Sequence, residues 1–139
     1  MINAWDDLPN AKHIDRIIAD MEKNPDQWNT ARDISWTAAI GAARNAARAD
    51  ARNDAWADAR CAARNAACGA AWTEARDAAW TEAWEAAFYV SWGAIEALIA
   101  YDYCAYLLDE KPEHVQILGL LGNHAAILLY PACVALQYK

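Results

Sequence analysis

Residues 41–87 read GAARNAARADARNDAWADARCAARNAACGAAWTEARDAAWTEAWEAA, and the period of this stretch decides the fold. Counted in fours from Ala39, every position through Ala87 is alanine, thirteen in succession. The neighbouring phase runs from Trp36 to Trp92 and carries Trp and Arg: Arg44, Arg48, Arg52, Trp56, Arg60, Arg64, Trp72, Arg76, Trp80 and Trp84, with Ile40, Cys68 and Phe88 between them. The remaining phases are small or polar, with Asn45, Asn53, Asn65, Thr73 and Thr81 in one and Asp50, Asp54, Asp58, Glu74 and Glu82 in the other. Trp, Arg and Cys codons differ by single bases, so a drifting repeat of four codons is a sufficient origin for the pattern. Alanine-rich sequence without proline from Asp26 to Lys111 predicts helix. A four-residue period on a helix of about 3.6 residues per turn advances by about 40° per repeat, so each stripe winds right-handed around its helix. Different stretches of one stripe therefore face different neighbours, which predicts several helices or subunits around the repeat.

About 80 continuous helical residues would extend for roughly 120 Å, against about 40 Å for a compact domain of this size. The chain must fold back or be elongated. Gly69, in mid-repeat, is the favoured break as a helix C′ residue, ahead of Gly41, Gly93 and Asn53-Asp54. Outward from the repeat, Ala11–Glu22 carries Ile14, Ile17 and Ile18 at helical spacing, and Asn24-Pro25-Asp26 ends that helix and starts the next. After Phe88 come Val90, Ile95, Leu98, Ile99, Tyr101, Tyr103, Tyr106 and Leu107, the expected hydrophobic core, which closes at Asp109-Glu110-Lys111-Pro112. A helix from Pro112 to Leu121, a break at Gly122-Asn123 and a last helix from His124 to about Gln137, kinked near Pro131, complete an all-α reading.

The expectation is one helical domain: an amphipathic helix and lead-in over 1–34, tetrapeptide-repeat helices over 35–92 and apolar helices over 93–139. Long Ala-rich helices would pack as a bundle with a short C-terminal helical hairpin. Alanine buries little area at about 25 cal/mol per Å², so a homo-oligomer is expected to supply the missing surface. Val115–Leu136 is 22 residues without a formal charge, enough to span a bilayer. Gln116, Asn123, His124 and Pro131 interrupt it, and a hairpin of two buried helices is the preferred reading.

Of the 139 residues 57 % are hydrophobic and 22 % charged, which excludes a disordered acidic tail. Twelve Lys and Arg against 19 Asp and Glu leave a net charge of -7, so direct binding to nucleic acid or an anionic membrane is not expected. The start MINAWDDLPN lacks the apolar run of a signal peptide, and four cysteines without one imply a reducing cytoplasm. Cys61 and Cys68 would lie about 10 Å apart along one helix, beyond bridging distance. His13, His114 and His124 are scattered, and no CxxC, HExxH, Gly-rich phosphate loop or GxSxG occurs, so neither a metal, a cofactor nor catalysis is expected. Asp102, Cys104 and His114 have the residue types of a nucleophile and base but read as packing residues, and His124 reads as a helix-start residue bonding locally through its ring.

The repeat arginines have no carboxylate at i±3 or i±4, so the usual intrahelical salt bridges are missing. Guanidinium stacked on indole is the local contact available, at about 0.5–1 kcal/mol on an exposed face. Their charge then has two destinations. Asp50, Asp54, Asp58, Asp77 or Glu82 of another helix can take it, as six Arg against seven Asp and Glu between Ser35 and Trp92 allow. An anionic ligand with a planar ring can take it instead, because Arg forks grip phosphates and Trp faces stack a base. The contributors would be Arg44, Arg48, Arg52, Trp56, Arg60, Arg64, Trp72, Arg76 and Trp80, gathered by an oligomer, and Arg52→Glu or Arg60→Glu would abolish binding without unfolding. Trp84, Phe88 and Trp92 read as core.

The repeat, followed by ALIAYDYCAYLLD (97–109) and LLGNHAAILLYPACVAL (120–136), resembles Ala/Trp/Arg tetrapeptide-repeat proteins of tailed bacteriophages and prophages over most of the chain from Ser35 onward. No catalytic residue comes with the resemblance. It implies a small non-enzymatic accessory protein that acts against host defence in the bacterial cytoplasm. One mechanism is sequestration of a cyclic or ADP-ribose-type signalling nucleotide through the Arg/Trp residues. The alternative is an acidic helical surface that binds a host defence protein, DNA mimicry being one form of it; the flanks, with seven acidic against four basic residues before Ser35 and five against two after Trp92, favour it, as the uncompensated Arg ladder favours sequestration. A purely structural repeat protein is the third class.

Overall fold

The computed structural model describes residues 4–31, 48–69, 73–86 and 89–137, and within the repeat helices and the helix after them the side chains of 56–66, 76, 78–83 and 92–100. Every regular element among these residues is helical: α1 (Ala11–Lys23), α2 (25–31), α3 (Arg48–Gly69), α4 (Thr73–Ala86), α5 (Tyr89–Ala100), a 3-10 turn (Ala105–Asp109), α6 (Pro112–Leu120) and α7 (His124–Gln137). In α1 the predicted stripe is buried through Ile14, Ile17 and Met21. Trp5 and Trp28 bury their indoles because each ring N–H reaches a carboxylate, Asp15 at 2.8 Å and Asp20 at 2.9 Å.

The repeat folds back on itself. α3 ends at Gly69, the expected break, and α4 begins at Thr73. The Arg64 guanidinium lies 5.1 Å from the centre of the Trp80 ring, whereas unbroken helix would part them by about 24 Å, so the chain reverses between them. The weaker candidate breaks fare otherwise: Asn53-Asp54 lies inside α3, Gly93 lies inside α5, and Gly41 lies outside the described residues. The phases sort as the period requires: Ala59, Ala63, Ala79 and Ala83 are buried, while Asp58, Cys61, Asn65 and Thr81 are exposed.

α5 receives the other helices. α1, α3, α4 and α7 all pack on it, with Ala94, Ile95, Ala97, Leu98 and Ile99 buried. α6 and α7 form the C-terminal hairpin, brought close where Gly119 leaves the Ile127 side chain 3.3 Å from the place of its missing Cβ. Gly122 turns the chain at φ +93°, a conformation that favours glycine. The side chain of Asn123, not the ring of His124, starts α7: its Oδ1 accepts the Ala126 N–H at 3.0 Å, and His124 is exposed. Pro131 lies inside α7, buried among Leu128, Leu129 and Val134. The uncharged stretch from Val115 to Leu136 is thus divided between two helices, and among the described residues no helix is long and apolar enough to cross a membrane.

Tyr103 and Tyr106 depart from expectation. Placed in the core by composition, they are 91 % and 58 % exposed. Both belong to the irregular segment after α5, where the 3-10 turn buries Leu107 and Leu108 and turns Tyr106 outward.

Candidate functional site

Within the Trp/Arg phase, Trp56, Arg60 and Arg76 reach onto α5. Trp56 packs over Gly93, where a Cβ would stand 2.6 Å from Cζ2 of the indole and 3.2 Å from Leu128. One turn further on, Arg60 donates from Nε to Oε1 of Glu96 at 2.7 Å and from Nη2 to Oε2 at 3.3 Å, a fork-to-fork pair. Glu96 is 2 % exposed, and burial pushes its carboxyl above the ordinary range while Arg60 and then Arg64 pull it down. Arg64 covers the buried Trp80, in the stacked geometry expected of guanidinium on indole. Arg76 is 3 % exposed; its Nη1 donates to the Ile99 carbonyl, and its Nη2 stands 3.0 and 3.2 Å from the two oxygens of Asp102. Of the remaining candidates, Arg44 and Trp72 lie outside the described residues, as do the side chains of Arg48 and Arg52 on α3.

Two of the repeat arginines meet carboxylates outside the repeat. Asp50, Asp54, Asp58, Asp77 and Glu82 were the carboxylates within the repeat available for pairing, but Arg60 and Arg76 meet Glu96 and Asp102, on and just beyond α5. Arg60→Glu would set a second carboxylate against buried Glu96, so it would unfold the protein rather than test a ligand. Glu96 carried a readable signal: it is the one charge in the apolar run VSWGAIEALIA, and such a charge needs a cation. Gly93 carried none, since an indole above it depends on the register of two helices.

Asn10 also escaped the sequence reading. Buried beneath the end of α5, its Nδ2 donates to the carbonyls of Leu98 and Tyr101, both at 2.9 Å. Together with Arg76 on Ile99 and the Cys104 thiol on Tyr101 at 3.2 Å, it satisfies the carbonyls that a helix C-terminus leaves over, and the Arg76 charge suits the negative end of the helix dipole. Burial pushes the Cys104 thiol up to about 12 and the Cys133 thiol up to about 11, so neither is a thiolate nucleophile at neutral pH. His114 stands beside Glu110 at 3.4 Å.

A shallow, open cleft of about 490 Å³ is lined by Ala100 to Cys104, Tyr106, Leu107 and Asn123 to Ala125. Asp102 is its acidic wall, held by Arg76; Oδ1 of Asp102 is buried without a hydrogen bond of good angle. Tyr103 and Tyr106 stand at the cleft, and Leu120 and Leu121, both exposed, lead into the turn that carries Asn123 and His124. Comparison of the chain with known protein families, with curated proteins and with solved structures finds no match.

Proposed function

We propose that this is a non-enzymatic helical protein that acts by docking on another protein, through the surface between Tyr103 and Leu121. One observation carries the reading: Tyr103, Tyr106, Ile117, Leu120 and Leu121, the large exposed hydrophobics of the described residues, all fall within this short stretch, and the two tyrosines line an open hollow. Scattered exposed apolar residues need no explanation, but a group of them beside a cleft marks an interaction surface. The helices gather as a bundle about α5, which presents this surface on a rigid frame. The resemblance of the repeat to phage proteins makes a host defence protein in the bacterial cytoplasm the partner we favour.

A second reading, sequestration of a small anionic nucleotide signal, is supported by Arg64 over Trp80 with Arg60 one turn away. Its pocket would be shared between copies in a homo-oligomer, adding Arg44, Arg48, Arg52 and Trp72 to that pair. The two readings part in one experiment. Phage plating is measured on bacteria that carry single defence systems and express the wild type, Leu120→Glu with Leu121→Glu, or Arg64→Glu. Loss of counter-defence in the leucine variant alone supports docking. Loss in Arg64→Glu alone, with a raised melting point in cyclic nucleotides or ADP-ribose derivatives and a mass that is a multiple of 15.4 kDa, supports sequestration.

A further inference from the structure

Resting on the docking reading, we propose that the Tyr103–Leu121 surface is built for a cationic amphipathic helix of the partner protein. The apolar side of that helix would cover Ile117, Leu120 and Leu121, and its Arg or Lys side chains would reach the acidic, aromatic cleft that Asp102, Tyr103 and Tyr106 line. On α6, Glu113, Ile117, Leu120 and Leu121 follow at i, i+4, i+7 and i+8, so all four share one side of the helix, and all four are exposed. Val115 is buried on the other side. The outer face is therefore an apolar stripe ended by a carboxylate, the template that an amphipathic helix with one cationic end fits.

The cleft adds a second reason for positive charge. Tyr103 and Tyr106 offer open ring faces next to Asp102, one third of whose side chain is exposed. Ring faces together with a carboxylate favour guanidinium and ammonium groups. From Tyr101 to Leu121 the chain carries Asp102, Asp109, Glu110 and Glu113 against Lys111 alone. Arg76 and Arg16 meet two of these carboxylates, and the charge of -7 over the whole chain steers cations toward it. A second copy is a poorer occupant. Paired about Ile117 by a two-fold axis, each Glu113 would lie against the other copy's Leu120 and Leu121, with no cation to meet it. Anionic lipid is repelled by the same carboxylates.

The test titrates the full chain into a fluorescent synthetic helix of leucine, alanine and arginine, and into the same helix with glutamate for arginine, read by anisotropy. The arginine helix should bind and the glutamate helix should not. Leu121→Glu and Tyr106→Ser should each weaken binding about tenfold, and Glu113→Gln should weaken it about threefold and flatten its salt dependence. Leu121 is 79 % exposed, so its variant folds, as an unchanged melting curve would verify. Equal binding of both helices, lost in Leu121→Glu, overturns the charge preference and leaves the docking surface standing. Binding indifferent to Leu121→Glu and Tyr106→Ser overturns the docking surface itself. A solution mass that falls to the monomer in Leu121→Glu makes a second copy the occupant, and adhesion to phosphatidylcholine vesicles lost in that variant makes it lipid; either result overturns the proposal.

Discussion

The repeat helices and the segment from Ala94 to Leu121 invert one another. In the repeat, two arginines face in: Arg76 is buried at the end of α5, and Arg60 reaches across to Glu96. In the segment after it, several large apolar residues face out, with Tyr103 91 % and Leu121 79 % exposed. The difference comes from side-chain length. Alanine lets helices approach closely but fills little space, so where two repeat helices meet a third, a long side chain must bridge. Arginine does so with an apolar stem that packs and a fork that satisfies carbonyls and carboxylates. The aliphatic segment has volume to spare, and its surplus lies on the surface.

Reversing a charge on the inward-facing side should break this contrast most severely. Arg60→Glu should lose about 3 kcal/mol or more, seen as a collapse of the urea midpoint, because buried Glu96 would lose its cation and face a second carboxylate. A stable variant would mean that the repeat arginines face solvent after all. Gly93→Ala should cost about 1–3 kcal/mol by driving a methyl into the Trp56 ring. In a Trp56→Leu background the same change should cost less, and a double-mutant cycle with coupling of about 1 kcal/mol would tie the two residues together.

Acidity sharpens the comparison more gently. The fold raises the Glu96 carboxyl above its ordinary value of 4.5, so folding favours the protonated form. The resulting contribution to stability is full below 4.5 and is lost as pH rises through the raised folded value. Acidifying from neutrality to 4.5 should therefore raise the melting point of the wild type relative to Glu96→Gln. The smallest effect belongs outside: Leu121→Gln and Tyr103→Ser should alter stability by less than about 0.5 kcal/mol in dilute solution. A larger loss would show those side chains to be covered.

Most helix boundaries were legible because punctuation carries them: Asn24-Pro25, Gly69, Pro112 and Gly122-Asn123 each stand where an element stops or starts. The destination of the arginines was not legible, and the repeat itself is the reason. Sliding α3 by one repeat returns every alanine of its stripe to an alanine, so the stripe alone leaves the register open. It would also set Arg60 over Gly93 and Arg64 opposite Glu96, burying a guanidinium against Leu128. Non-repeating residues on α5, Gly93 and Glu96, therefore choose the register, and they lie beyond the stretch whose period draws the eye. Tyr103 and Tyr106 were misread for a different reason. The α-helix ends at Ala100, so helical spacing no longer tells which of the residues after it face the core.

Asn10 closes the molecule on itself, for the carbonyls it holds belong to residues 88 and 91 positions later. At about 5–20 residues added per second, the ribosome needs roughly 4–18 s to supply them once Asn10 has been made. For the later part of that interval α1 has been made but lacks α5, with Ile14, Ile17 and Met21 unmatched and open to holdase chaperones and proteases alike. Codon usage across the alanine repeat sets the length of the wait, so synonymous changes there would alter how much protein a cell accumulates without altering a single contact in the finished fold.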